Sequence, residues 1–188
     1  MLENLKKNRS HRSFTEKEIT RKELEQFIEG ARVSATSMNS QRIRFFIVDG
    51  KENCDKVFPL IKFAGAIEWN PTIEESPRGY IAVCCAEPLN AAIESLSFDM
   101  GLCTQNILLM ANNVGYSGCI IGAYNKPEFD KTVKIPQGYK SYYLIALGEP
   151  KDQVTIVEAK ENNLKYYRDV NTNHHYVPKL MLEDLIIK

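Results

Sequence analysis

The sequence has few of the residues from which metal sites and catalytic triads are built. Its 188 residues include three histidines and five cysteines, with no CxxC or HxxxH spacing among them. Neither a structural zinc site nor a histidine-based triad is therefore expected, and we predict that the protein binds no metal. An odd number of cysteines behind an N-terminus without an apolar run of signal-peptide length predicts reduced, buried thiols and a cytoplasmic protein.

A net charge and a long apolar run are also missing. The 24 Lys and Arg side chains balance 24 Asp and Glu side chains, which excludes a globally basic protein that binds nucleic acid. No uncharged stretch approaches the length of a membrane helix, so no membrane association is expected. Hydrophobic residues make up 44% of the chain, with only ten Gly and eight Pro, as is typical of a folded domain rather than a disordered chain.

Hydrophobic periodicity predicts both helices and strands. Thr20 and Glu23 have the spacing of a helix-capping box, and apolar residues follow at helical spacing up to Ala31, which predicts a helix at 21–33. The apolar run 80–86 is typical of a strand buried on both faces, and the almost wholly apolar stretch 91–113 predicts a long helix in the middle of the structure. Further helices are expected at 51–62 and 127–133, strands at 43–48 and 141–148, a polar loop at 34–41 and a less ordered segment at 63–78.

The end of the chain differs from the rest in composition. From residue 151 to residue 188 the charge density rises and few apolar runs exceed four residues. Such a segment has too few apolar residues to form a core of its own. We therefore predict one domain, with a core at 1–150 and a C-terminal arm at 151–188 that lies on its own surface or on that of a partner.

The first candidate site is the N-terminal segment. Four Lys and Arg residues face a single Glu within the first twelve residues, which gives a local charge of +3 in a neutral chain. The guanidinium groups of Arg9 and Arg12 and the hydroxyl of Ser10 can converge on one phosphate, because Arg offers a planar two-pronged donor. The alternative is an ordinary solvated basic terminus.

Two further segments are candidates for ligand contacts. The small polar side chains of the 34–41 loop suit the edge of a polar heterocycle, but equally suit turns and helix caps. Segment 115–122 places glycines around a short apolar run, yet it is neither a GxGxxG fingerprint nor a phosphate-binding Walker loop. Gly122 either lets a flat ligand approach the backbone or forms an ordinary tight turn.

Five short motifs occur in a defined order along essentially the whole chain. They are Arg9-Ser-x-Arg12-x-Phe14, Asn39-Ser-Gln41 in the polar loop, Cys119-Ile-Ile-Gly122, the strand end Leu147-Gly-Glu-Pro150, and Val177-Pro-Lys179 in the arm. In this order and spacing they resemble the nitroreductase family of FMN-dependent oxidoreductases. The similarity is greatest to a short-chain branch whose members open with Asn-Arg-Ser-x-Arg, as the chain does at residues 8–12.

This resemblance implies a particular fold and assembly. It implies an α+β three-layer sandwich, in which helices flank a mainly antiparallel central sheet. It also implies an intertwined homodimer, with FMN at the interface between the subunits. The arm at 151–188 would then reach the partner subunit.

The same resemblance, applied motif by motif, implies which residues contact FMN. Arg9, Ser10 and Arg12 correspond to the phosphate and pyrimidine contacts, and Lys179 corresponds to a second cation. The loop that reaches the flavin corresponds to Thr36, Ser37, Met38, Asn39 and Gln41. The backbone strip beside the isoalloxazine ring corresponds to Ile121 and Gly122.

The activity implied is ping-pong transfer of hydride from NADH or NADPH, through the flavin, to an electron-poor small molecule such as a nitroaromatic or a quinone. Because the flavin carries this chemistry, no catalytic side chain is assigned. One alternative is a non-enzymatic protein that binds or hands over flavin. Another is a specialised flavin enzyme of the same fold with a different substrate, a difference that would lie in residues 63–78. A plain interaction protein without a cofactor is the remote third.

The chain departs from the family pattern around the phosphate. Asn8 stands where an Arg is frequent, and Leu180 and Met181 stand where a further cation often follows Lys179. Arg42 also replaces a common Pro. Each charge-assisted hydrogen bond contributes about 1.5 to 3 kcal/mol, so the loss of one or two predicts weaker FMN binding.

Overall fold

The computed structural model describes residues 1–63, 65 and 67–187. Its α-helices are α1 (Leu2–Lys7), α2 (Arg21–Arg32), α3 (Lys51–Val57), α4 (Ile93–Asn113) and α5 (Lys126–Val133). Its strands are β1 (Arg44–Val48), β2 (Gly79–Ala86), β3 (Ser117–Ile121), β4 (Tyr139–Gly148), β5 (Gln153–Glu158), β6 (Tyr167–Asp169) and β7 (His174–Lys179). Within these described ranges, no helix has the length and apolar character that crossing a membrane requires.

The first four strands form one antiparallel sheet. Their order is β1-β2-β4-β3, and every neighbouring pair is antiparallel, so β1 and β3 are the two edges. The two central strands are buried on both faces, as the apolar run 80–86 predicts. Because alternate residues of a strand point to opposite faces, β2 and β4 contribute to two separate cores.

The two cores make the sheet the middle of three layers. On one face Ile81, Val83, Ile145 and Leu147 pack with buried residues of α2 and α4. On the other face Tyr80, Ala82, Leu144 and Ala146 pack with residues of α3 and α5. The expected α+β three-layer sandwich with a mainly antiparallel sheet is therefore confirmed.

Helix α2 begins at the capping box that its sequence predicts. The Thr20 hydroxyl accepts from the Glu23 backbone N–H at 3.3 Å, and the Glu23 carboxylate accepts from the Thr20 N–H at 2.8 Å. The helix expected at 51–62 is shorter, because α3 ends at Val57 and a 3-10 turn, Phe58–Leu60, follows around Pro59. Proline lacks the N–H that would continue the α-helical bonds.

Helix α4 is covered on one side only within a single chain. Its buried residues are Leu96, Asp99, Met100, Cys103, Thr104, Ile107, Leu108 and Ala111. One turn apart on the opposite side, Phe98 is 68% exposed and Leu102 is 36% exposed. The helix expected in the middle of the structure is therefore buried along one side within a single chain. Its other side exposes apolar side chains.

The arm forms a small sheet of its own, whose strands were not predicted from the sequence. Its strand order is β5-β7-β6, with β5 parallel to β7 and β6 antiparallel to it. The sheet is anchored to its own chain through the side chain of Asp152, which is fully buried. Beyond it, a short 3-10 turn at Leu182–Leu185 leaves Ile187 99% exposed. That the arm also reaches a partner subunit stays a prediction.

Candidate functional site

The N-terminal segment, residues 8–14, lies along the edge strand β3. Ser10 pairs with Gly118 in the manner of parallel strands, and the His11 N–H donates to the Gly118 carbonyl at 3.1 Å. Phe14, with 1% of its surface exposed, anchors the far end of the segment in the core. The predicted phosphate-binding residues are therefore fixed to the start of β3 by backbone bonds.

The guanidinium groups of this segment have unused donors. Arg9 donates through one terminal nitrogen to the Leu5 carbonyl at 2.8 Å, and Arg12 donates to the Ser10 carbonyl at 3.2 Å. The Nε atoms of both are buried, and neither has a hydrogen-bond partner in the described part of the chain. Burial lowers the pKa of Arg9, because a partly desolvated cation is less stable than one in water. Anionic oxygens are the acceptors that best satisfy free guanidinium donors of this kind.

The other end of β3 presents open backbone on the same edge of the sheet. Ile121 is buried and the next residue, Gly122, is exposed, about 13 Å along the chain from Gly118. A Cβ atom at Gly122 would meet only the Tyr143 ring, at 3.5 Å, which is ordinary van der Waals contact. A Cβ atom at Gly118 would instead lie 2.2 Å from the Ala146 carbonyl oxygen. Packing within the chain therefore requires glycine at 118 but does not require it at 122.

The polar loop has a strained backbone. Met38, Asn39 and Gln41 have φ values of 53°, 52° and 46°, in the left-handed region that residues with a Cβ seldom adopt. The Gln41 N–H donates to the Thr36 hydroxyl at 3.2 Å, which closes the loop on itself. Met38 is 87% exposed at its tip. Clustered strain of this kind is found at ligand-binding segments, where the surrounding structure maintains it.

The loop is held by a buried carboxylate of α4. The Ser37 N–H donates to Asp99 Oδ1 at 2.9 Å. Asp99 is fully buried, and its second oxygen has no hydrogen-bond partner among the described residues. Asp99 was not predicted from the sequence, because one acid within a mainly apolar helix carries no spacing signal.

A single chain does not bring all the candidate residues together. The polar loop precedes β1, which lies at the opposite edge of the sheet from β3, although both face the same end. Three strand spacings separate the two edges, a distance of about 14 Å. Lys179 ends β7, four residues beyond His175, or about 13 Å along that strand. Only the N-terminal segment and residues 121–122 share one edge.

A buried polar cluster lies behind the N-terminal segment. Asp152 Oδ1 lies 2.8 Å from His11 Nδ1, and Asp152 Oδ2 lies 3.5 Å from His175 Nε2. Burial, followed by the positive charge of Arg168, lowers the pKa of His175 to about 4, so this imidazole is neutral at neutral pH. In the described ranges, no group of three or more His, Cys, Asp or Glu side chains is placed to hold a metal ion. Sequence reasoning missed the polar cluster because its members are up to 164 residues apart.

Comparisons with known proteins give one family. The model of the nitroreductase family matches residues 5–77 and 90–149. A provisionally named NADH dehydrogenase/NAD(P)H nitroreductase of Archaeoglobus fulgidus is 25% identical over 163 residues, covering 81% of this chain and 87% of the relative. The provisionally named NAD(P)H nitroreductase YdgI of Bacillus subtilis is also 25% identical, over 186 residues, covering 81% of this chain and 89% of the relative.

Solved structures show the same fold. A nitroreductase family protein of Streptococcus pneumoniae superposes with a TM-score of 0.70 at 18% identity, covering 100% of this chain and 98% of the other. The NADPH:FMN oxidoreductase of Vibrio harveyi, solved with NAD⁺, superposes with a TM-score of 0.65 at 20% identity, covering 90% of this chain and 79% of the other. At these identities the superpositions establish the architecture of the chain.

Proposed function

Because this chain belongs to the nitroreductase family, whose model matches most of its length, we propose that it is an FMN-dependent oxidoreductase. The observation that carries the proposal is the pair of guanidinium groups, Arg9 and Arg12, each with a buried Nε that lacks a partner in the described ranges. Unpaired buried donors are costly, so their presence points to a ligand that supplies the missing acceptors.

The residues present fit a flavin mononucleotide. Arg9, Arg12 and the exposed Ser10 would bind its phosphate at the start of β3. The backbone at Ile121 and Gly122, on the same edge, would lie beside the flat ring system, since among the described residues a Cβ atom at Gly122 would meet only the Tyr143 ring, at 3.5 Å. Lys179 would supply a second cation, and residues 36–39 and 41 would reach the ring from another direction.

The role of the protein is to bind and orient. The chemistry that bound FMN supplies is hydride transfer from NADH or NADPH to an electron-poor acceptor such as a nitroaromatic or a quinone. The chain contributes charge at the phosphate, an exposed backbone strip at residues 121–122, and a rigid loop preorganised by the bond between Ser37 and Asp99. None of these contacts requires a side chain to act as an acid or a base.

We include a homodimer in this proposal. The exposed apolar side of α4, with Phe98 and Leu102, offers a surface that a second copy would cover. The polar loop of one chain lies about 14 Å across the sheet from its own Gly122. A second copy that packs on α4 and brings its polar loop to this edge would complete the site. The arm of that copy would bring its Lys179 to the same site.

The visible spectrum tests the function directly. We expect the purified protein to bind FMN, and to lose the flavin absorption band when NADH or NADPH is added without oxygen. Recovery of the band when a quinone or nitroaromatic is then added would support a reductase. Flavin that binds but that neither nucleotide reduces would instead support a flavin-handling protein. A protein that binds no flavin at all would contradict the proposal.

The glycine at residue 122 allows folding and cofactor binding to be tested separately. Gly122→Ala is expected to change the free energy of unfolding by less than about 1 kcal/mol, because the added methyl meets only the Tyr143 ring at 3.5 Å. FMN affinity should nevertheless fall about tenfold, since a methyl on this backbone costs about 1 to 3 kcal/mol of overpacking against a flat ligand. Flavin titration and thermal unfolding of the same samples measure the two effects.

Gly118 is the matched control. Gly118→Ala places its methyl 2.2 Å from the Ala146 carbonyl oxygen, so it should lower the stability of the flavin-free protein by about 3 kcal/mol. If Gly122→Ala left FMN affinity unchanged, the ring would have to lie elsewhere.

A further inference from the structure

Asp152 joins two parts of the molecule that are far apart in sequence. Its carboxylate is fully buried and lies just before β5, at the base of the arm. One oxygen lies 2.8 Å from His11 Nδ1, and the other accepts from the Arg12 backbone N–H at 3.2 Å. Asp152 therefore bonds directly to the segment that carries the two unpaired guanidinium groups.

The same carboxylate also faces the arm. His175 of β7 is fully buried, and its Nε2 lies 3.5 Å from Asp152 Oδ2. Arg168 of β6 donates to that ring nitrogen, so the neutral imidazole lies between the Asp152 carboxylate and the Arg168 guanidinium. Arg168 also donates to the side chain of Asn173, which precedes β7.

The cluster ends on the only tryptophan of the chain. The Arg168 guanidinium lies over the Trp69 ring at 3.8 Å, and the His175 ring meets the same indole edge-on at 5.4 Å. A continuous series of contacts thus leads from the backbone of Arg12, through Asp152 and His175, to Trp69. Arg168 and His175, which form the middle of this series, both belong to the arm.

We infer that Asp152 is a positioning residue that couples docking of the arm to phosphate binding by Arg9 and Arg12. The inference rests on the proposed function, because it takes the phosphate of FMN as the ligand of these guanidinium groups. When the arm is docked, Asp152 is confined and fixes the backbone of Arg12. When the arm is released, its carboxylate is exposed to water and the segment loses that constraint. Thermodynamic coupling is reciprocal, so phosphate binding also favours the docked arm.

Two variants test the coupling from opposite ends. Asp152→Asn removes the negative charge that faces both the N-terminal segment and the arm. Arg168→Gln loosens the arm without removing any hydrogen bond to the N-terminal segment. Both are expected to weaken FMN binding about tenfold, equivalent to about 1.4 kcal/mol. Both should also shift the emission of Trp69 to longer wavelength in the flavin-free protein. Glu29→Gln, which breaks an exposed ion pair with Arg32 on α2, is the control and should change neither signal.

Proteolysis of the wild-type chain tests the reverse direction. The Arg168 guanidinium lies over Trp69 in the docked arm, so we expect trypsin to cleave after Arg168 only once the arm is released, and FMN to slow that cleavage about tenfold. The factor by which FMN slows cleavage should match the factor by which Arg168→Gln lowers FMN affinity, because the coupling is the same in both directions. Fragment masses identify the site of cleavage.

The outcomes separate this inference from the proposed function. If Arg168→Gln shifts the Trp69 emission but binds FMN like the wild type, the coupling is wrong. It is equally wrong if FMN leaves cleavage after Arg168 unchanged. If the wild-type chain takes up no FMN, the proposed function fails, and inorganic phosphate replaces FMN in the proteolysis. Protection by phosphate in the wild type, and its loss in Asp152→Asn, would then support the coupling, whereas no protection would overturn it.

Discussion

Replacing Arg9 and Arg12 together with alanine should lower FMN affinity by a factor of about 10² to 10⁴. Each charge-assisted bond to a phosphate contributes about 1.5 to 3 kcal/mol, and about 1.4 kcal/mol corresponds to a factor of ten. The fold should lose little stability, because Arg9 donates to the Leu5 carbonyl and Arg12 to the Ser10 carbonyl, both backbone groups. Arg12 also contacts the Cys119 side chain and lies over the Tyr166 ring at 5.1 Å, and a cation over an aromatic ring contributes about 0.5 to 1 kcal/mol. Flavin titration measures the affinity, and thermal unfolding of the flavin-free protein measures the stability.

The neighbouring lysines provide a matched control. Replacing Lys6 and Lys7 with alanine removes the same charge from the same cluster, but Lys6 is exposed and already paired with Glu3 at 3.0 Å. We expect FMN affinity to stay within about twofold, since exposed ion pairs contribute about 0 to 1 kcal/mol. Equal losses in the two double variants would mean that only the overall charge matters. If the variant in which alanine replaces Arg9 and Arg12 kept its FMN affinity, the phosphate would have to bind elsewhere.

Charges on the exposed side of α4 are expected to abolish both dimer formation and FMN binding. Phe98→Glu combined with Leu102→Glu places two carboxylates where a second copy would have to bury them. Each buried, unpaired charge costs several kcal/mol, which exceeds what most interfaces of moderate affinity can offset. None of the residues proposed to contact FMN is altered, so the proposed dimer predicts that FMN is lost because the partner's loop is lost. Light scattering and flavin titration of the same sample measure the two effects.

Ile73 is the control for this variant. It is 42% exposed in a 3-10 turn that precedes the start of β2, at the end of the sheet opposite to Gly122. Ile73→Glu should leave the protein dimeric and able to bind FMN. A charged α4 variant that becomes monomeric yet binds FMN with unchanged affinity would show that one chain holds the complete site.

The elements with strong local signals could be predicted from the sequence. Strand β2 was predictable because the seven-residue apolar run 80–86 is of strand length and can be fully buried only in the middle of a sheet that is covered on both faces. Helix α2 was predictable because Thr20 and Glu23 satisfy each other's backbone groups, whatever the rest of the fold does. The end of α3 was predicted wrongly because the effect of Pro59 was overlooked.

The arm and the buried cluster were not predictable in the same way. Strand β5 pairs with β7 in parallel across a long connection, and its exposed residues lack a clean alternation of apolar and polar side chains. Asp152 and His11 are 141 residues apart, and nothing in either neighbourhood indicates the other. The left-handed backbone of Met38 and Gln41 could not be predicted either, because neither residue type favours that conformation. The FMN contacts assigned from the family resemblance stay predictions.

The pairing of Ser10 and His11 with Gly118 has a consequence for aggregation. Strand β3 is an edge of the central sheet, and an uncovered edge is a template onto which another chain can add a strand. The N-terminal segment occupies the beginning of that edge through the bond from the His11 N–H to the Gly118 carbonyl. A truncation that removes the segment would therefore expose the unpaired backbone edge of β3 to other chains, and would also remove Arg9 and Arg12. Insoluble material from such a truncated chain would reflect the lost edge cover, and a bulky tag fused close to residue 8 would carry the same risk.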